Sequence, residues 1–371
     1  MNDPLNQHSV PQAYLKQFDA GKGIIVYDVS KRPDVSDLVR QVQDPHVELS
    51  VKNLAVEIDY YTRETSNGPD YSFEHMLGRI ENYYWPAMKA VRSRKPLSSE
   101  QLITLAMLAS VQDARVNRLS LVEPMEKIRW QAEMLYRQHH PDLSDDEIVA
   151  RTNEFVREQI LSTDIPSPRN IALAALPQMM QFSFDVFKFM FKSIVYSGAH
   201  HFVTSDAPVV WIDPAQFPEP RWKFYRLSGF MEVTFPLSRH ACLVMAWHPM
   251  KQQVIGDEAL VATINARTAS YARRHVFATN TGAIGDRHRN GRDFTNMQAW
   301  MGMPLTAALT DEATVVSEDD AGNYQRCLAK LGIEWETARS ENEQLLPRFT
   351  EAAEFYRNKQ EEQAATEASG S

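Results

Sequence analysis

The sequence predicts an α+β fold, mostly helical, with a small mixed sheet and a central helical insertion. Three observations carry this expectation. Apolar residues recur at helical spacing in successive segments from Phe73 to Val195, short β-rich runs cluster between residues 200 and 280, and an isolated β-branched run, Ile24 to Val29, stands near the N-terminus. The chain of 371 residues is 43% hydrophobic, enough for a substantial core. It divides into an N-terminal part of the body at 1–118, the insertion at 119–195, a strand-rich part at 196–285 and a helical segment at 286–357. A polar tail at 358–371 is expected to be disordered.

The first helix is predicted over Gln12 to Phe18, with Tyr14, Leu15 and Phe18 on one face, and the turn Asp19-Ala20-Gly21-Lys22-Gly23 stops it. The strand from Ile24 follows, while Val47 to Tyr61 alternates too imperfectly to assign. From Phe73 the residues Met76, Leu77, Ile80 and Tyr84 make an amphipathic helix. Ser98 and Gln101 stand in capping-box spacing before the apolar run Leu102 to Ala109, and Ser144 with Glu147 repeat the device before a helix to Leu161. A helix is also expected over Met125 to His139, and another over Asn170 to Val195. The last carries Phe182, Phe184, Phe187, Phe189 and Phe191 with Met179, Met180 and Met190 around nearly its whole circumference, the mark of a buried core helix or of one that docks on a partner.

Strands are expected within His201 to Val210, Phe230 to Phe235 and Ala241 to Trp247, forming one sheet with the Ile24 strand. A helix from Glu258 to Arg274 and a strand at His275 to Ala278 close this block.

Composition excludes several functions. Thirty-nine basic against 48 acidic side chains leave a net charge of −9, so nucleic acid or anionic lipid would need a local basic patch. Lys89, Arg92, Arg94 and Lys95 form one such run, and Arg287, His288, Arg289 and Arg292 another, although short charge runs are commonly plain solvated surface. Cys242 and Cys327 are too few for a disulfide framework, and the N-terminal stretch lacks a basic and apolar leader, so the expected compartment is the cytoplasm with no membrane association. No nucleophile elbow, phosphate-binding glycine loop or dinucleotide fingerprint is present.

Several strings occur together in order: His8, Pro11, Tyr14, Leu15 and Phe18; Tyr27-Asp28 after a strand; Glu81 on a helix; Gln112 and Arg115 at the end of a buried helix; Thr204-Ser205-Asp206 with Pro208; Phe235 to Ser238; and Asn265 inside a helix. In this combination the chain resembles the uncharacterised family catalogued as domain of unknown function 4238, over roughly residues 7–280. The resemblance implies a shared body interrupted by the helical segment 119–193, which carries none of the strings, and it implies no reaction.

The polar members of these strings are the candidate site: His8, Glu81, Gln112, Arg115, Thr204, Ser205, Asp206 and Asn265. A histidine and two carboxylates suit a divalent metal (magnesium or manganese) bound by His8, Glu81 and Asp206, while the Arg115 guanidinium suits a phosphate. That chemistry is a metal-assisted hydrolase of phosphodiesters, such as a nuclease. The alternative is a non-catalytic protein-binding or regulatory module, with a protein partner or a second copy of itself. Its polar set is then a structural network: Ser205 and Asp206 close a turn, Asn265 ties a helix to a strand end, and Arg115 bridges to Glu81. Glu232-Val233-Thr234 lacks the lysine that a restriction-type nuclease places two residues after its second acid, which disfavours that arrangement.

Overall fold

The computed structural model describes residues 6–28 except 9 and 22, 47–49, 54, 56–58, 62–65, 68–116, parts of 129–139, 140–162, 168–214, 228–279, 304–310, most of 322–351, and 354 and 358. The fold is α+β, as predicted. A strand β1 (Asn6–His8) leads into helix α1 (Gln12–Leu15), then β2 (Ile24–Asp28), β3 (Val47–Leu49), β4 (Val56–Ile58), β5 (Arg63–Thr65) and β6 (Gly68–Asp70). Helices α2 (Ser72–Tyr83), α3 (Trp85–Arg92), α4 (Ser99–Val116), α5 (Asp145–Ser162) and α6 (Pro168–Phe187) follow. Next come strands β7 (Phe191–Ser197), β8 (Thr204–Ser205), β9 (Val210–Ile212), β10 (Glu232–Ser238), β11 (Ala241–Ala246) and β12 (Gln253–Gly256). Helix α7 (Glu258–Tyr271), strand β13 (His275–Ala278) and helices α8 (Leu305–Leu309) and α9 (Gly322–Leu331) complete the described order.

Both predicted capping boxes form. Ser98 Oγ accepts the Gln101 amide at 3.2 Å while Gln101 Oε1 accepts the Ser98 amide at 2.9 Å, and Ser144 and Glu147 exchange the equivalent pair. Each box satisfies end donors that the helix itself cannot pair.

The strands divide between two principal sheets, not one. A mixed five-stranded sheet runs β12-β7-β11-β10-β9, and a four-stranded sheet runs β3-β2-β13-β8, so the Ile24 strand lies in a different sheet from β10 and β11. A second correction concerns Asn170 to Val195. The helix ends at Phe187, and Phe191–Ser197 is a strand held between β11 and, in parallel, β12. Continuous apolar sequence looks alike as buried helix or buried strand, and the intervening turn Lys188-Phe189-Met190 carries neither Gly nor Pro to mark it.

Both faces of the five-stranded sheet are covered, which is why β10 and β11 are buried along their full lengths. One face, with Ile194, Tyr196, Val233, Phe235, Leu243 and Met245, packs on Tyr14 of α1, Met88 and Val91 of α3, Leu105 and Leu108 of α4, Phe187 of α6 and Tyr324 and Cys327 of α9. The aromatic helix α6 is therefore core along this face. The opposite face, with Val195, Cys242 and Val244, packs on Leu260, Val261 and Ile264 of α7 and on Leu305 and Leu309 of α8. Further along α7, Ala269 lies with Ile25, Tyr27, Val203 and Val276 against the second sheet. Helix α7 is thus held between two sheets, and residues 263–270 are buried without a break.

Candidate functional site

Three of the family-like strings meet at one buried hydroxyl. Tyr14 is 1% exposed, stacks on Phe235 with ring centroids 5.4 Å apart, and shares a hydrogen bond of 2.7 Å with Thr204 Oγ1. It also donates to the carbonyl of Pro236 at 2.5 Å. The α1 string, the β8 string and the β10 string are thereby tied together.

The β8 string continues the pattern. Ser205 Oγ accepts the amide of Ala207 at 3.1 Å, closing the turn before Pro208. The carboxylate of Asp206 reaches across to the connection between α7 and β13, where Oδ1 accepts the amide of Arg273 at 2.8 Å and Oδ2 accepts those of Arg274 at 2.7 Å and His275 at 2.9 Å. In return the Asp206 amide donates to the carbonyl of His275 at 3.0 Å. On α7, Asn265 accepts the amide of Val203 at 3.0 Å and donates to the carbonyl of His201 at 2.9 Å, so both ends of its side chain clip the helix to the approach of β8. Thr204, Ser205, Asp206 and Asn265 are therefore brought together, each with its polar atoms on the protein's own backbone or on Tyr14.

The remaining candidates stand elsewhere. His8 ends β1 opposite Val56, and Glu81 lies on α2, but the side chains of both fall outside the described residues. The expected Arg115–Glu81 bridge and the three-ligand metal set fall outside them too. Among the described residues no group of three or more histidines, cysteines and carboxylates is placed to hold a metal ion. Gln112 and Arg115 are buried near the C-terminal end of α4, Gln112 at 0% exposure with neither amide atom hydrogen-bonded among the described residues. Between them Asp113 accepts from Ser183 Oγ at 2.6 Å and from Trp211 Nε1 at 3.2 Å, linking α4 to α6 and β9.

Sequence reasoning missed the most deeply buried charge pair. Arg267 of α7 and Glu232 of β10 are 0% and 1% exposed and meet at 2.9 Å. Glu232 also accepts the amide of Leu305 at 3.1 Å and the amide and hydroxyl of Thr306 at 2.8 and 2.9 Å, so it binds the first turn of α8 as well. The legible signal was a single charge inside each of two otherwise uncharged runs, Phe230 to Phe235 and Leu260 to Ala269.

Lys192 of β7 was also passed over. Its ammonium donates to the carbonyls of Met190 at 2.6 Å and Lys188 at 3.2 Å, and burial pushes its pKa down from 10.5 to about 8. Below about pH 8 the lysine is protonated folded and unfolded, so the folded chain bears the full burial penalty. Between about 8 and 10.5 the folded state sheds the proton first and the penalty is relieved. Lys192→Met is accordingly expected to stabilise the protein by about 1–2 kcal/mol at pH 7, even without the two hydrogen bonds to carbonyls, and the gain should shrink towards pH 10. Urea denaturation of both chains at the two pH values measures it.

Cationic groups gather where α3 ends beside the turn between β10 and β11. Arg92 donates to Gln17 Oε1, and the Gln17 carbonyl accepts the amide of Arg239 at 3.3 Å. Arg239 Nε donates to His240 Nε2 at 3.0 Å, and the rings of His240 and His201 lie 4.9 Å apart. Arg94 sits with its guanidinium 5.2 Å over the ring of Tyr196, whose neighbour across the β7–β11 ladder is Ala241. Burial, then Arg239 and His200, hold His201 below its ordinary pKa; burial, then His201, Arg239 and Arg94, do the same to His240. Arg94 is also the one non-glycine residue with positive φ among the described residues, at 51°. It follows α3 in a Schellman turn, in which the amides of Arg94 and Lys95 donate to the carbonyls of Val91 and Ala90, each at 3.0 Å.

Both cysteines are free and buried, and burial raises both thiols, Cys327 to about 12. Neither is poised as a nucleophile. No helix among the described residues is long and apolar enough to cross a membrane.

Compared with known proteins, the chain matches over residues 6–282 the model of a family described as Protein of unknown function (DUF4238). No curated protein and no solved structure matches it.

Proposed function

The chain belongs to this family, whose description assigns no activity, so its function has to be argued from its own geometry, and we propose that it is a non-catalytic binding or regulatory module. The observation that carries this reading is the state of Asp206. Both of its oxygens are taken up by three backbone amides, at 2.7 to 2.9 Å. A carboxylate so engaged serves as a clamp between β8 and the α7–β13 connection, and ligating a metal would mean surrendering charge-assisted bonds. Asn265 and Thr204 support the same reading, because each ties one family-like string to another part of the fold, while Ser205 closes the turn within its own string. The two free, buried thiols suit a reducing compartment such as the cytoplasm.

The test uses the full chain, with magnesium or manganese, against labelled RNA and DNA, comparing wild type with Asp206→Ala and His8→Ala. Asp206→Ala is expected to lower stability by about 1–3 kcal/mol, because three amides lose a charged acceptor. No turnover should depend on either residue. Cleavage by wild type that disappears in folded Asp206→Ala would replace this reading with that of a metal-assisted phosphodiesterase.

A further inference from the structure

Arg92, Arg94, Arg239, His201 and His240 come from three separate parts of the chain, the end of α3, the β10–β11 turn and the segment before β8, and they converge on one face. Lys89 and Lys95 flank them on the same helix end, both exposed. None of the three arginines and two lysines makes an ion pair with a carboxylate among the described residues, while burial and the neighbouring cations favour the neutral form of His201 and His240. The adjacent His200 stands 3.7 Å from Glu258. In a chain of net charge −9, an uncompensated cluster of this kind is a local reversal of sign.

We propose that this face binds the phosphodiester backbone of a single-stranded nucleic acid. The inference rests on the reading of the chain as a binding module and names its ligand. Arginines are the principal cations, and the planar guanidinium matches phosphate oxygens two at a time. Partly exposed rings lie among them: Arg92 lies 5.8 Å from the centre of Trp85, and the rings of His201 and His240 lie 4.9 Å apart. Cations alternating with rings serve a strand whose bases are unstacked. Arg94 adds a second, independent observation. A side chain other than glycine in the left-handed region is strained, and here the turn holds an exposed guanidinium over the buried Tyr196 ring, fixing the cation on this face.

Anisotropy of a fluorescein-labelled single-stranded DNA 20-mer, titrated with the full chain across a salt series, tests this directly. Wild type should bind with an affinity that falls steeply with salt. Arg94→Ala with Arg239→Ala should weaken binding at least about tenfold and flatten the log–log salt slope by about 1.4, which is about 0.7 for each single-strand phosphate no longer neutralised. Arg94→Gly guards against misfolding, since glycine takes the left-handed turn without strain; it should melt no lower than wild type and still bind more weakly. Salt-independent binding, unchanged affinity in these variants, equal affinity for duplex or polyglutamate, or preference for anionic vesicles would each overturn the assignment. Strand cleavage that Asp206→Ala abolishes would sink the non-catalytic reading while leaving this surface intact, whereas absent binding with an intact strand sinks the surface alone.

Discussion

Glu232→Leu and Arg267→Met are each expected to destabilise the protein by about 3–5 kcal/mol, because each leaves one charge buried without its partner. Both side chains are at most 1% exposed, so water cannot replace what is removed. The double variant should be less destabilised than the sum of the singles, since it removes the desolvated charges together, and chemical denaturation of the four chains gives the coupling. Glu232 also holds the amides of Leu305 and Thr306 directly through its oxygens. Hydrogen exchange over residues 304–310 should therefore accelerate more in Glu232→Leu than in Arg267→Met. Equal acceleration would mean that α8 is anchored chiefly by Leu305 and Leu309 in the apolar cluster beneath it.

Tyr14→Ala is the second large effect, expected at about 3–5 kcal/mol, the range for emptying a buried aromatic site. Tyr14→Phe isolates the hydroxyl and should lose about 1–3 kcal/mol, since Thr204 Oγ1 and the Pro236 carbonyl then keep their burial and lose their partner. A Tyr14→Phe chain as stable as wild type would remove the hydroxyl from its place as the tie between three strings. Thermal melts of the three proteins separate packing from hydrogen bonding.

The sequence was informative where local chemistry decides the structure. Ser98 with Gln101 and Ser144 with Glu147 announced helix starts because a cap is a contact between near neighbours, and the Ile24 run announced a strand because β-branched residues bounded by glycine leave few alternatives. It was uninformative where partners lie far apart. Nothing local distinguishes Ile194-Val195-Tyr196 as the middle of a sheet from the tail of an apolar helix. Nothing local says that Ile24 and Phe235 belong to different sheets, either. The candidate set shows the same division. Asn265 and Ser205 adopt the structural contacts weighed for them, while Asp206 clamps a segment some 70 positions downstream instead of closing only its own turn. The sign-reversed face is the sharpest case: Arg92 and Arg94 were visible as a short run, but Arg239 and His240 join them only once β10 and β11 fold back.

Strand β2 pairs with β13, matching Asp28 to His275, so the two halves of one ladder are made roughly 250 residues apart. A ribosome adding about 5–20 residues each second therefore leaves the β2 edge without this partner for something like ten to fifty seconds. Through that interval Ile25 and Tyr27 lack Val276 and Ala278, on whose company their burial depends. The nascent chain thus carries an open, apolar β-edge until the residues up to β13 have been added, the sort of segment on which chaperones act and where premature release favours aggregation over folding.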